Sequence, residues 1–355
     1  MADRRNFDTL APEFRIRING TELPLKAKAD LISARVLDDV GATGMFSFTL
    51  HCWDGAEMKV KWIDDDLFKE GNSVAIDIGY GDNLKTLFQG EITGLEPEFP
   101  TKEPPTLTVR GYDRRHRLMG KRKARTFLNM KDSDIANQIA GDWSLKPEVK
   151  DTRVTLAYVL QHNQTDFEFL QERAQRIGYE VVVTDTTLHF RPRQNEGSPA
   201  VTLRREVELL DFRARLTTIG QVEEVFVQGW DPKKKEKVVS RSGTGDERKM
   251  GGSVSGPATV RQVFTGTKET TVNMPIVSQA EADQLARGWF GEMALRHVEG
   301  HGICIGQPDL RAGTLVNIEG LGRRFSGSYY ITSTEHKYTP KTGYRTAFTV
   351  RRNAT

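Results

Sequence analysis

Cysteine is nearly absent. Cys52 and Cys304 alone, far apart in a chain of 355 residues, exclude a disulfide framework and a multi-cysteine zinc site. Each sits in an alternating apolar run, so buried free thiols are expected. No apolar run approaches bilayer-spanning length, so no membrane span is expected. The N-terminus, Met1-Ala2-Asp3-Arg4-Arg5-Asn6-Phe7, has no apolar core of the kind a secretory signal needs. A charge excess is missing too: 51 Lys plus Arg stand against 48 Asp plus Glu, a net +3, so bulk charge selects no partner. Catalytic signatures are also lacking, because Gly-x-Ser-x-Gly, the phosphate-binding Gly-x-x-x-x-Gly-Lys-Ser/Thr and Gly-x-Gly-x-x-Gly do not occur in strand-turn-helix context.

What the chain does contain is an internal echo. Gly313 to Arg351 carries Phe325-Ser326-Gly327, Ile331-Thr332 with Glu335, and Thr349-Val350-Arg351. Val74 to Arg110 carries Phe88-Gln89-Gly90, Ile92-Thr93 with Glu96, and Thr108-Val109-Arg110. A strand-like run lies just upstream in both, Val74 to Gly79 and Leu315 to Gly320. Trp53-Asp54 after Phe48-Thr49-Leu50 is matched by Trp230-Asp231 after Val225-Phe226-Val227. The reading is two related β-modules in one chain.

The rest of the chain fits around them. Phe14, Ile16 and Ile18 alternate with arginines ahead of Asn19-Gly20, which predicts a hairpin. Strands are expected over Leu31 to Val40 and through Phe46, Phe48, Leu50 and Cys52, with a short helix around Ile63 to Phe68. Asp132 or Ser133 is expected to cap a helix carrying Ile135, Ile139 and Ala140. Thr165 and Glu168 have capping-box spacing ahead of Leu170, Ala174, Ile177 and Gly178, and a hairpin turning at Thr184-Asp185-Thr186 follows. Residues 113–203 thus read as a small α+β insertion between a first module, 1–112, and a second, 204–355. The second opens near Leu209 to Leu216 and Gln221 to Trp230, carries a polar, exposed arm over 231–272, and then a helix from Ser278 and Glu281 through Met293. The fold class is α+β, mainly β.

Candidate chemistry is sparse. His297 and His301 have the spacing of two imidazoles on one helical face, but His-Val-Glu-Gly-His lacks the glutamate of a zinc-protease helix, so no metal or cofactor is assigned. Asp166, Glu168 and Asp185 read as capping and turn residues; no catalytic residue is assigned. Between Arg110 and Arg125 the cations Arg110, Arg114, Arg115, Arg117, Lys121, Arg122, Lys123 and Arg125 face only Asp113. That run is a candidate contact for phosphates, for nucleic acid or for an acidic partner, or else a solvated face.

The residues resemble a family: the phage tail hub proteins called late control protein D, which also form the hub part of VgrG spikes. The likeness rests on Gly111-Tyr112-Asp113 with Leu118, on Thr165-Asp166-Phe167-Glu168-Phe169-Leu170 followed by Ile177-Gly178-Tyr179, and on Gly306 to Gly313. Gly320-Leu321-Gly322 with Phe325 to Thr332 is its most characteristic part. The resemblance extends over nearly the whole chain. It implies two related tube-like antiparallel β-barrel domains flanking the insertion, and a homotrimer whose six barrels present pseudo-sixfold symmetry. Such a structural baseplate hub joins a central spike protein to the inner tail tube protein or tube initiator. It would contact other baseplate proteins and leave a lumen for DNA or protein cargo. The expected location is a virion tail baseplate or injection-system particle, assembled in the bacterial cytoplasm. Because the chain stops at Thr355, the spike is expected on a separate protein. Competing readings are a tail-associated enzyme that degrades cell wall and a nucleic-acid-contacting module.

Overall fold

Apolar and charged side chains alternate along Pro12–Ile18, and this strand, β1, turns Phe14, Ile16 and Ile18 into the core. Asn19 and Gly20 then take the positive φ angles, 50° and 81°, of a two-residue hairpin turn, and Ile18 pairs with Thr21 of β2 (Thr21–Glu22). The structure, a computed structural model, describes residues 12–355 except 82, 195–196, 248, 265 and 272–275. Residues 1–7, read above for a targeting signal, lie outside it, as does residue 272 at the end of the expected arm.

After α1 (Leu25–Ala29) come β3 (Leu31–Asp39), β4 (Met45–His51) and the small hairpin β5 (Trp53–Asp54) and β6 (Lys59–Val60). The helix expected near Ile63 is a single 3-10 turn at Asp66–Phe68, capped by Asp65, whose carboxylate accepts from the Leu67 N–H at 2.9 Å. Then follow β7 (Ser73–Tyr80), the long β8 (Asn83–Glu98) and β9 (Thr106–Tyr112). Phe46, Phe48, Phe68 and Phe88 meet in their core with centroids 5.2–5.9 Å apart.

A separate core, built on Phe127, Ile135, Ile139, Phe169, Leu170 and Phe190, holds the middle of the chain. Its elements are β10 (Lys123–Met130), α2 (Asp132–Asp142), β11 (Lys146–Val149), β12 (Leu156–Gln164), α3 (Asp166–Arg176), β13 (Tyr179–Thr184) and β14 (Thr187–Pro192). The capping box of α3 forms: the Thr165 hydroxyl accepts from the Glu168 N–H at 3.2 Å, and the Glu168 carboxylate accepts from the Thr165 N–H at 2.9 Å. For α2 the expected caps are corrected. Asp132 and Ser133 lie inside the helix, and Asp134 accepts from the Lys131 N–H at 3.1 Å instead.

Beyond β15 (Val201–Arg204) and β16 (Leu209–Leu216) the chain makes an excursion through β17 (Glu224–Asp231), β18 (Glu236–Gly243), α4 (Gly256–Val263), β19 (Lys268–Thr271) and α5 (Gln279–Leu295). The stretch expected as an exposed polar arm over 231–272 is largely exposed among its described residues, but it is built of regular elements rather than loop. The polar stretch pairs back on β17, with Val238, Ser240 and Ser242 buried at every second position, and Met250 and Val260 plug into the fold. The chain closes with β20 (Val298–Ile305), β21 (Leu315–Glu319), α6 (Gly322–Phe325), β22 (Gly327–Thr339) and β23 (Gly343–Arg352).

The largest sheet runs β16-β20-β23-β22-β3-β4-β9-β8-β7-β1-β2, with β21 on β22 and β15 on β21. Its two halves repeat one pairing plan. In the first, β3-β4-β9-β8-β7 carries bulges between Leu31 and Ser33 and between Ile92 and Gly94. In the second, β16-β20-β23-β22-β21 carries them between Leu209 and Asp211 and between Ile331 and Ser333. Ile92 lies opposite Gly111, and Ile331 opposite Val350. Gly71, at φ 88°, donates to the Ile92 carbonyl at 2.8 Å; Gly313, at φ 82°, donates to that of Ile331 at 2.9 Å.

Three details of the sequence echo are corrected. With Ile92 matched to Ile331, Phe88-Gln89-Gly90 lies within β8 whereas Phe325-Ser326 precede β22, so the Phe-x-Gly match is two residues out of register. Because Gly111 matches Val350, Thr108-Val109-Arg110 lies opposite β8 where Ala347-Phe348-Thr349 lies opposite β22, so the Thr-Val-Arg match is two residues out of register. The Trp-Asp match is accidental, since β17 belongs to the separate sheet β18-β17-β19 and the counterpart of β4 is β20. The modules also exchange large for small. Phe46 packs over Gly111 in one, whereas Gly300 faces Val350 in the other.

Candidate functional site

The basic segment read from the sequence folds into the join between the first module and the middle core, and its charges find acids within the segment and on β8, α2 and α3. Arg115, 1% exposed, makes a forked pair with Asp113, with Nη2 at 2.7 Å, and donates through Nη1 to the Asp39 carbonyl at 2.9 Å. Asp113 in turn accepts from the Gly44 N–H at 2.5 Å, which locks the β3–β4 corner. Burial works to lower the Arg115 pKa, but the Asp113 charge and hydrogen bonds outweigh it and hold the guanidinium above its ordinary value. Arg117 pairs with Glu91 at 2.5 Å and Arg114 approaches the same buried carboxylate at 3.5 Å.

Asp166, with its side chain fully buried, is the second hub of this network. Lys123 reaches it at 2.5 Å, Arg125 at 2.8 Å, Trp143 Nε1 at 2.7 Å and Gln161 Nε2 at 3.0 Å. Burial alone would push this carboxyl up; the donors from Lys123, Trp143 and Gln161 and the Arg125 charge hold it below the ordinary carboxylate range. Arg125 also pairs with Asp142 at 2.7 Å, and Arg122 with Glu168 at 2.9 Å. Lys121 is exposed and makes no ion pair among the described residues. Glu91, Asp142 and Asp166 were beyond reach of a reading by local charge, because each meets its cation from another strand or helix.

The histidine pair is corrected. The helix ends at Leu295, so His297 and His301 do not share a helical face. His297 is buried and its Nδ1 donates to the Thr217 carbonyl at 3.0 Å, while His301 lies exposed on β20. Among the described residues no cluster of three His, Cys, Asp or Glu side chains could hold a metal. Asp185 sits at φ 50° in the β13–β14 turn. Cys52 and Cys304 are buried free thiols. No helix among the described residues is long and apolar enough to cross a membrane.

The remaining geometry is one of strand edges. The two modules meet where the second half of β22 pairs antiparallel with β3, from Ser333 opposite Asp39 to Tyr338 opposite Ala34. Arg35 and Glu335 bridge this seam at 2.5 Å, and Ala34, Val36, Thr334 and His336 are buried beneath it. Two of the open edges bear on the doubled plan. Among the described residues one side of β16 has no strand, and β8 beyond Ile92 pairs with β9 alone.

Solved structures share this architecture. The 43 kDa tail protein of prophage MuSo2 from Shewanella oneidensis matches 96% of this chain and 98% of its own, with a TM-score of 0.72 at 14% identity. A tail protein from Neisseria meningitidis MC58 matches over 96% of both chains, with a TM-score of 0.69 at 13% identity. The E. coli c3393 protein is described as a type VI secretion component similar to the T4 bacteriophage tail proteins gp27 and gp5. It matches 96% of this chain and 77% of its own, with a TM-score of 0.59 at 14% identity. At such identities the likeness is one of fold. No curated protein matches the chain. The model of one family, described as the Alg8 N-terminal domain, matches residues 8–340, and the chain belongs to that family.

Proposed function

We propose that this chain is a structural baseplate hub of a contractile tail or injection system, of the late control protein D kind. The observation that carries the reading is the repeated five-strand module with its matching bulges. A chain doubled in this way turns threefold closure into six similar modules, so a threefold spike can meet a sixfold tube. The fold shared with phage tail and secretion-spike proteins supports it. In this reading 1–112 and 204–355 are tube-like barrel domains, 113–203 is inserted between them, and the partners are spike, inner tube or tube initiator, and other baseplate proteins. DNA or protein cargo would pass through the lumen.

The chain's role is non-catalytic in this reading. Glu168 and Asp166, the carboxylates weighed for acid/base work, are committed to a helix cap and to a network of cations. The basic segment acts chiefly as internal fastening, with Lys121 its one exposed contact outside ion pairs among the described residues. Light scattering on the purified protein, joined to imaging of the native particle, tests the assignment. A trimer located between spike and tube is expected. A strict monomer absent from tail particles overturns it, and peptidoglycan turnover lost on Glu168→Gln would put the enzyme reading in its place.

A further inference from the structure

Two open edges, the outer side of β16 and the end of β8, occupy the same places in the doubled plan as the two strands of the internal seam. Matching bulge to bulge, β16 stands where β3 stands, so Arg213 takes the place of Arg35, and Phe212 to Thr217 that of Ala34 to Asp39. By the same rule the end of β8 stands where the second half of β22 stands. Glu96 takes the place of Glu335, and Gly94 to Phe99 that of Ser333 to Tyr338. The ion pair that bridges the internal seam, Arg35 with Glu335, is thus reproduced in kind by Arg213 and Glu96.

We propose that the outer edge of β16 pairs antiparallel with Gly94 to Phe99 of a second copy of this chain, in the register Phe212 opposite Phe99, Arg213 opposite Glu98, Arg215 opposite Glu96 and Thr217 opposite Gly94. This rests on the reading of the chain as a ring-forming hub. Side chains alternate across a strand, so the pairing sorts itself into two faces. On one, Arg213 and Arg215 meet Glu96 and Glu98. On the other, Phe212, Ala214 and Leu216 meet Phe99, Pro97 and Leu95. The corresponding inner face of the internal seam is buried, whereas here Phe99 is 62% exposed and Leu216 36%. Arg215 makes no ion pair among the described residues, Arg213 lies a loose 3.9 Å from Asp211, and Glu96 bonds Arg110 at 2.9 Å on an exposed surface. Pro97 lacks an amide proton and offers the ladder only its carbonyl. Edges left bare in this way invite pairing, and complementary charge selects the partner.

The test is oxidative cross-linking of the full chain carrying Glu96→Cys and Arg215→Cys, since directly opposite residues bring Cβ atoms within disulfide reach. A ladder of covalent dimer and trimer that stops at three is expected. Glu96→Cys with Ala214→Cys, on opposite faces, should give none. Glu96→Arg with Glu98→Arg should weaken self-association about tenfold or more, and adding Arg213→Glu with Arg215→Glu should restore it. A trimer by light scattering that neither cross-links nor responds to charge reversal overturns the seam and leaves the hub reading standing. A monomer at every concentration overturns both. Disulfides formed only within single chains, or a ladder running past trimer, overturn the closed ring.

Discussion

Gly111 shows how tightly single residues are held. A Cβ there would lie 2.0 Å from the Glu91 carbonyl oxygen and 2.4 Å from the Phe46 ring. Gly111→Ala should therefore cost about 3 kcal/mol in urea unfolding, at the upper end of overpacking penalties, because backbone must move. Asp166→Asn should cost about 3 kcal/mol by the same measurement, because it strips Lys123 of its countercharge and leaves Arg125, part-buried beside it, with Asp142 alone. His336 should contribute to acid stability. It is fully buried and neutral, with Nε2 donating to the Leu310 carbonyl at 3.0 Å and Nδ1 accepting from the Tyr344 hydroxyl at 2.7 Å. Burial, helped by the Arg311 charge, pushes its pKa down to about 3. A depressed value means that this contribution is complete above the unfolded pKa of about 6.5 and is lost as pH falls below it, by about 1.4 kcal/mol per unit. Between pH 6.5 and 5, His336→Gln should show a flatter slope of unfolding free energy than the parent chain; an unchanged slope would count against this account.

Among the elements, α3 was legible because its start is written in adjacent residues. Thr165→Ala should lower stability by about 1 kcal/mol, read as a shift in the urea midpoint. Strands were legible wherever apolar alternation was clean, as in β1 and β4. The excursion from β17 to β19 was not, because Ser240 and Ser242 are buried polar residues that break the apolar signal, and a reading by composition sees only a soluble arm. The His-x-x-x-His spacing misled for a similar reason: Gly300 and Gly302 serve close packing against Phe212 and Phe348 in a strand. The repeat was visible through Ile-Thr and Glu, which mark the second bulge. The register of its last strand was not, since Thr, Val and Arg recur two residues apart on the same face without disturbing the pattern. Of the basic segment, the charges and the nearby Asp113 were visible and the other partners were not, because Glu91 and Asp166 approach from far along the chain.

For the molecule as a whole, the organising fact is a single sheet in which one module hands over to the next through β22 and β3. Raising the salt concentration should weaken self-association, since Arg213, Arg215, Glu96 and Glu98 are solvent-exposed charges, while leaving the folded chain's unfolding midpoint nearly unchanged. Sedimentation at low and high salt beside a denaturant titration separates the two effects.

The internal join also bears on how a ring would be built. Two modules on one polypeptide meet at an effective concentration set by their linkage and not by how many molecules the cell holds. Half of the ring's contacts would then be in place before any encounter, and those made within a chain would survive dilution that parts one chain from another.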